Sequence, residues 1–307
     1  MSLVGKKGVD ISSLNGDVSI EKIKQAGYEF AMLRCGYGSD LKVQDDTQFE
    51  NNVRKCEAAG VPWGAYLYSY ALNTDDAKSE VQHVLRLLKG KRPTLPVAID
   101  MEDGDGYKAK HGGMTFQNIN NTCKIFVEGV RAAGYYPMIY TGLEEINNYI
   151  SSEVLNSCDL WFAQWWKTPQ YYGSNMGMWQ YGGEENFIES NSIPGVGVID
   201  KDKCYKDYPS IIKNGGYNGW KPSAKVLDTG GYRLFDRGVG VLALKEMLLR
   251  ARRLGITTQG MDENGVFGDG TQIAVNQVLK RGGYEQNGIA GENFVKYLAK
   301  LIREKTK

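Results

Sequence analysis

The chain has 307 residues, enough for one large domain and a smaller one, and its 37 Lys+Arg against 36 Asp+Glu leave a formal net charge of +1. The composition is that of a globular protein, and no apolar stretch is long enough to span a membrane. His83 and His111 are the only histidines, which argues against a His-rich metal site or a Ser-His-Asp triad.

Val9-Asp10-Ile11 is a short apolar run carrying one acid, followed by the turn residues Ser12-Ser13-Leu14-Asn15-Gly16. Ile20, Ile23 and Ala26 mark a short helix that Gly27 ends. Residues 30–35 form a second strand. The Gly36-Tyr37-Gly38 after it lacks a third glycine and a following helix, so it is not read as a dinucleotide loop. Phe49, Val53 and Cys56 make a helical stripe closed by Gly60. Residues 62–71 are the third strand, with tyrosines at 66, 68 and 70. A helix starts at Thr74-Asp75-Asp76, where acids suit the positive end of the helix dipole; Ala77, Val81, Val84, Leu85 and Leu88 form its apolar face.

The fourth strand, Leu95-Pro96-Val97-Ala98-Ile99-Asp100-Met101-Glu102-Asp103, organises the rest. Its apolar run without a helical stripe reads as a strand buried on both faces. Side chains alternate along a strand, so Asp100 and Glu102 point the same way where the strand runs out. Two carboxylates there either cap the strand or sit where α/β barrels place their chemistry. A long helix follows from Met114-Thr115, with Ile119, Cys123, Phe126, Val127 and Val130 buried and Gly134 at its end. Residues 137–141 are the fifth strand and 143–150 a short helix.

Then the rhythm changes. Residues 160–165, 178–181 and 196–200 read as strands six to eight, with no amphipathic helix between them, only loop stretches rich in Gly, Pro, Asn and Tyr. Eight strands, five followed by helices and three by loops, predict an α/β fold: an irregular (β/α)-barrel of TIM type. A doubly wound open sheet is the alternative, disfavoured because its parallel strands would lack covering helices. The barrel is assigned to residues 1–213, a linker to 214–226 by composition, and a small all-α three-helix domain to 227–307, with helical patterns at 241–253, 271–280 and 292–303. Asn264-Gly265-Val266-Phe267-Gly268 and Asn287-Gly288-Ile289-Ala290-Gly291 share a loose repeat that feeds the last two helices. Asp262-x-Asn264-Gly265 lacks the remaining ligands of a calcium loop.

Residues 227–307 hold 13 Lys+Arg against 9 Asp+Glu, and residues 1–226 hold 24 against 27. This mild basic excess is a solvated surface or a contact with something anionic; for nucleic acid it predicts weak, salt-sensitive sticking at most. Five scattered cysteines (35, 56, 123, 158 and 204) without a Cys-x-x-Cys pair predict buried free thiols. Strand pattern begins by Gly8 with no apolar leader, so no signal peptide is expected in this sequence.

In a closed barrel Asp10, Asp100, Glu102 and Asp200 converge on one mouth. Four carboxylates there cannot all ionise at ordinary pH values, so at least one keeps its proton near neutrality, as the general acid of a glycoside hydrolase must. Tyr66, Tyr68, Tyr140, Trp161, Trp165 and Trp179 supply aromatic faces that suit pyranose rings. The oxygen-rich Asp100-x-Glu102-Asp103-x-Asp105 leaves open a divalent metal and a phosphodiesterase, although no Gly-rich phosphate cradle accompanies it.

Gly8-Val9-Asp10-Ile11-Ser12 with Asn15-Gly16, Ala98-Ile99-Asp100-Met101-Glu102, Leu160-Trp161-Phe162-Ala163-Gln164-Trp165, Trp179-Gln180-Tyr181 and Gly197-Val198-Ile199-Asp200 occur in an order that resembles the lysozymes of glycoside hydrolase family 25. The resemblance implies hydrolysis of the β-1,4 bond between N-acetylmuramic acid and N-acetylglucosamine in peptidoglycan, at the bacterial cell wall, by a monomer without cofactor or metal. It places the general acid on Glu102, a charge-stabilising or acetamido-orienting partner on Asp100, and supporting acids on Asp10 and Asp200. Sugar contacts are expected from Tyr66, Tyr68, Tyr140, Trp161, Trp165 and Gln180. Many members carry Tyr-His-Phe where this chain has Tyr66-Leu67-Tyr68, and Tyr where it has Trp165. Residues 227–307 look like a three-helix peptidoglycan-binding domain, with Lys245 where such domains often have Gln; a tethered wall-binding module would raise the local concentration of the mouth at its substrate. A non-catalytic wall-binding protein built on an inactive barrel is the alternative.

Overall fold

In the computed structural model, residues 2–221 and 225–306 are described. Residues 222–224, part of the expected linker, lie outside them. The chain divides into two compact units between residues 222 and 223.

The first unit runs β1 (Lys7–Ile11), α1 (Ile20–Gln25), β2 (Phe30–Tyr37), α2 (Phe49–Ala59), β3 (Trp63–Tyr68), α3 (Thr74–Leu88), β4 (Val97–Asp100), α4 (Tyr107–Lys110), α5 (Phe116–Ala132), β5 (Pro137–Gly142), α6 (Leu143–Asn148), α7 (Ser152–Leu155), β6 (Asp159–Ala163), β7 (Met176–Gly182), β8 (Ser192–Ile193), β9 (Gly197–Val198), β10 (Asp200–Cys204) and α8 (Tyr208–Gly215). The barrel is closed in the order β1-β10-β7-β6-β5-β4-β3-β2. Closure excludes the open-sheet alternative. Local chemistry sets the helix starts: Asn73 accepts from the amides of Asp75 and Asp76, and Thr115 from that of Asn118. Gly60 ends α2 in the left-handed conformation.

Strand alternation sorts the residues. Val9, Ile11, Ala65, Leu67, Val97 and Ile99 face outward into one apolar layer with the helices. Met32, Tyr66, Ala98, Met138, Tyr140, Trp161 and Met178 face inward and fill the barrel with Tyr208 and Ile212 of α8. Because Val97 and Ile99 face the helices, Asp100 and Glu102 are directed to the interior. The same parity turns Asp10 inward on β1.

Two features differ from the expectation. Strand eight is not 196–200. Val198 pairs with Ser192 in the small β8–β9 hairpin, and the barrel strand begins at Asp200 and runs antiparallel to both β1 and β7. Reversal puts the beginning of β10, not its end, at the mouth, so Asp200 still arrives beside Asp10, its register partner. Second, the barrel does not stop at 213. α8 continues to Gly215, and the side chain of buried Asn218 bridges the Tyr136 amide (2.8 Å) and the carbonyls of Pro93 (3.0 Å) and Leu95 (2.9 Å). The early part of the expected linker therefore closes the base of the barrel.

In the second unit α9 (Val239–Arg253), α10 (Asp269–Arg281) and α11 (Glu292–Lys305) pack Val241, Leu244, Leu248, Phe267, Val275, Phe294 and Leu298 into a separate core. Lys245 is buried within it. Its ammonium donates to Asp262 Oδ1, to the Asn264 carbonyl (2.9 Å) and side chain (3.1 Å), and to the Val266 carbonyl (3.0 Å). The Asp-x-Asn-Gly turn thus surrounds a lysine ammonium. All five cysteines are free; four are buried and Cys158 is partly so. Among the described residues, no helix is long and apolar enough to cross a membrane.

Candidate active site

The mouth of the barrel holds a cleft of about 430 Å³. Every expected site residue lines it: the acids Asp10, Asp100, Glu102 and Asp200, the aromatics Tyr66, Tyr68, Tyr140, Trp161 and Trp165, and Gln180. Trp179 does not. Its odd register on β7 turns it outward, where its indole donates to the Gln164 carbonyl at 2.9 Å.

A hydrogen-bonded lattice fixes the cleft. Gln180 Nε2 donates to Asp10 Oδ2 at 2.9 Å, and Gln180 Oε1 accepts the Tyr140 hydroxyl (3.0 Å) and the Trp165 indole N–H (2.9 Å). Tyr66 and Tyr140 both pack edge-on against Trp161, with centroids 5.6 and 4.6 Å away. Gly183 lies so close to Trp165 and Asp200 that a Cβ there would collide with both. This glycine lets the backbone pass behind the two side chains.

The acids are strongly perturbed. Burial, then the Glu145 carboxylate, pushes Glu102 up to about 7. Burial, then Glu184, pushes Asp200 up to about 6. Burial raises Asp10 and Asp100 well above the ordinary range, with Asp200 the next cause for Asp10 and Glu102 for Asp100. Asp100 Oδ1 is buried with no protein partner. Such a cluster keeps at least one proton at neutral pH.

Four residues at or beneath the cleft were not anticipated. Arg34 lines it, held by Asp46 (Nε to Oδ2, 2.9 Å) and Ser13 (Nη2 to Oγ, 3.0 Å). Lys108 is fully buried; its ammonium donates to the Ser69 carbonyl at 2.6 Å and to the Glu102 carbonyl, tying down the end of the fourth strand. Glu145, on α6, adds negative charge toward Glu102. Asp202 lies buried below Asp200, and the spacing Asp200-x-Asp202, the same as Asp100-x-Glu102, was its signal in the sequence.

The diacid metal reading needed Asp103 and Asp105 beside Asp100 and Glu102. Instead Asp103 caps α4, accepting from the amides of Lys108 and Ala109 (both 2.8 Å), and Asp105 accepts the Tyr70 hydroxyl (2.7 Å) and the Tyr107 amide (3.1 Å). Neither lines the cleft.

Residues 9–190 match the family model described as glycosyl hydrolases family 25. An autolytic lysozyme of Clostridium acetobutylicum is 25% identical over 199 residues, covering 64% of this chain and 55% of that protein. The match thus spans about half the length of that relative. Among solved structures, a family 25 glycosyl hydrolase from Bacillus anthracis superposes with a TM-score of 0.55 at 20% identity, over 67% of this chain and 91% of the other. The CTP1L endolysin gives a TM-score of 0.55 at 19% identity, over 97% of this chain and 99% of the other. With the family model covering more than half of its length, the chain belongs to glycosyl hydrolase family 25.

Proposed function

We propose that the first unit is a muramidase that hydrolyses the β-1,4 bond between N-acetylmuramic acid and N-acetylglucosamine in bacterial peptidoglycan. The observation that carries this reading is Glu102: a carboxyl with a pKa raised to about 7, next to a second buried carboxyl, Asp100, in an aromatic-lined cleft. Glu102 protonates the departing glycosidic oxygen. Asp100 faces the positive charge that develops at the sugar, either directly or through the 2-acetamido group. Asp10 and Asp200 complete the acidic field, and Tyr66, Tyr68, Tyr140, Trp161, Trp165 and Gln180 hold the sugar rings. The second unit is a cell-wall-binding module that keeps the mouth near an insoluble substrate. The protein acts at the cell wall, as a monomer. The relatives' names, autolytic lysozyme and endolysin, agree with this reading.

The test is release of reducing sugar from purified Gram-positive peptidoglycan by the unaltered protein and by Glu102→Gln. Clearing by the former, reduced by roughly 10³-fold in the latter, is expected from loss of the acid. Wall binding without clearing by either protein would replace the reading with that of a binding protein.

A further inference from the structure

Arg34 is the one cation among the described residues that line the cleft, against the carboxyls of Asp10, Asp100, Glu102, Glu184 and Asp200. It lies on β2 in phase with the inward-facing Met32, while Leu33 and Cys35 turn outward to the helices. Its register partner is Tyr66 on β3, and Tyr68 in turn pairs with Asp100 on β4. Arg34 and Asp100 therefore stand two strands apart on the inner face of the barrel.

The guanidinium is fixed from behind. Nε donates to Asp46 Oδ2 at 2.9 Å and Nη2 to Ser13 Oγ at 3.0 Å. Asp46 is satisfied without Arg34: its Oδ2 also accepts the Ser13 amide and its Oδ1 the Gln48 amide, both at 2.9 Å. A buried carboxylate with two backbone donors thus holds the guanidinium in one orientation. Nη1 has no protein acceptor among the described residues, although the side chain is only 13% exposed. Unspent N–H groups on a mostly buried cation that lines a cleft suit a ligand oxygen, and the planar fork suits a carboxyl group best.

A carboxyl group bound elsewhere in this cleft would meet like charge. The two sugars of peptidoglycan differ at one position: N-acetylmuramic acid carries on C3 a lactyl ether that ends in a carboxyl group, where N-acetylglucosamine has a hydroxyl. That carbon adjoins C2, whose acetamido group the proposed mechanism sets at Asp100. We propose that Arg34 is a specificity-determining residue that binds the lactyl carbonyl oxygen through Nη1, as a free carboxylate or as the amide that joins a stem peptide, and so seats muramic acid at the reacting position. The inference rests on the muramidase reading and deepens it: the acids and aromatics of the cleft serve either sugar, and Arg34 serves one.

Arg34 also opposes the upward shift of Asp100, so recognition has to be separated from tuning. Calorimetric titration of the full chain carrying Glu102→Gln keeps the ligands intact. The probes are chitotetraose and the peptide-free tetrasaccharide of alternating N-acetylglucosamine and N-acetylmuramic acid, the latter with its lactyl carboxyls free or amidated. With Arg34 present, the free-acid tetrasaccharide is expected to bind roughly 10-fold or more tighter than chitotetraose, and the amidated one in between. Adding Arg34→Gln should bring all three within about threefold of one another, with chitotetraose binding itself almost unchanged. Arg34→Lys keeps a cation against Asp46 but lacks the fork; it reads the same difference should the glutamine variant not fold, and the preference should again drop below about threefold. Equal affinity for all probes in the presence of Arg34, or an amidated probe no better than chitotetraose, would overturn the proposal and leave the muramidase reading standing. A preference that survives both substitutions, or equal weakening of every probe, as expected if Arg34 acts only through Asp100, would overturn it too. Binding of none of the probes would remove the muramidase reading along with it.

Discussion

The Gln180 amide joins Asp10 to the aromatic wall: its nitrogen donates to Asp10 Oδ2 at 2.9 Å, while its oxygen accepts the Tyr140 hydroxyl and the Trp165 indole. These partners leave the amide one orientation, since only the nitrogen can donate to a carboxylate and only the oxygen can accept from an indole. Gln180→Glu keeps the size and removes the donor. It should lower kcat/KM on peptidoglycan by roughly 10²-fold while the fold survives, because a carboxylate beside Asp10 offers repulsion in place of a hydrogen bond. Steady-state kinetics with circular dichroism checks this; activity near that of the unaltered protein would mean the orientation of Asp10 is set elsewhere.

Lys108 clamps the carbonyls of Ser69 and Glu102 from within the fold. Its charge also opposes the upward shifts of Asp100 and Glu102. Lys108→Met should destabilise the first unit by about 2–4 kcal/mol, since two buried acceptors lose a charged donor. It should also move the alkaline limb of the activity profile to higher pH, because Glu102 loses a neighbour that favours its ionised form. Denaturant unfolding and a pH–rate profile give the two numbers.

The pH dependence follows from Glu102 and Asp200, raised to about 7 and about 6 by burial before any charge effect. The proposed acid works only while protonated, so activity should fall as pH rises through about 7. The effect on stability has the same direction. A carboxyl whose folded pKa exceeds its unfolded value, about 4.3 for Glu, stabilises the fold fully below the unfolded value and loses that contribution as pH rises through the folded one. Thermal midpoints should therefore decline between about pH 4 and 7, and Glu102→Gln should flatten that decline by a few degrees. A midpoint that rises over this range would show that the acids are already ionised in the fold at the lower pH.

Lys245 is the buried cation of the second unit, with Asp262, Asn264 and Val266 as its acceptors. Lys245→Met would leave the Asn264 and Val266 carbonyls without their donor, while the exposed Asp262 carboxylate turns to water, and should cost that unit about 1–3 kcal/mol. Hydrolysis of soluble peptidoglycan fragments should be unchanged, while clearing of intact walls should fall. Calorimetry resolves the loss of stability, and parallel assays on soluble and insoluble substrate resolve the rest.

How much of this could be read beforehand depended on which physical signal a residue leaves in the sequence. Asp100 and Glu102 were legible because Val97 and Ile99 alternate with them in a strand buried on both faces. Asp10 was legible for the same reason. The path of β10 was not, because Lys201-Asp202-Lys203 reads as polar surface, although Lys201 and Asp202 are buried in the fold. Lysine and aspartate are buried when they have partners, and partners such as the Ser190 carbonyl and the Trp161 indole come from other parts of the chain. Lys108 and Asn218 were hidden likewise: each is defined by carbonyls far away in sequence. Gly183 signals nothing in sequence, since the crowding that demands it belongs to the closed barrel.

The most direct test of the proposed reaction is the identity of the sugar at the new reducing end. Peptidoglycan digested by the protein, reduced with borohydride and analysed by mass spectrometry, should yield fragments ending in reduced N-acetylmuramic acid. Fragments ending only in reduced N-acetylglucosamine would contradict the account, because the other glycosidic bond of the strand would then be the one cleaved.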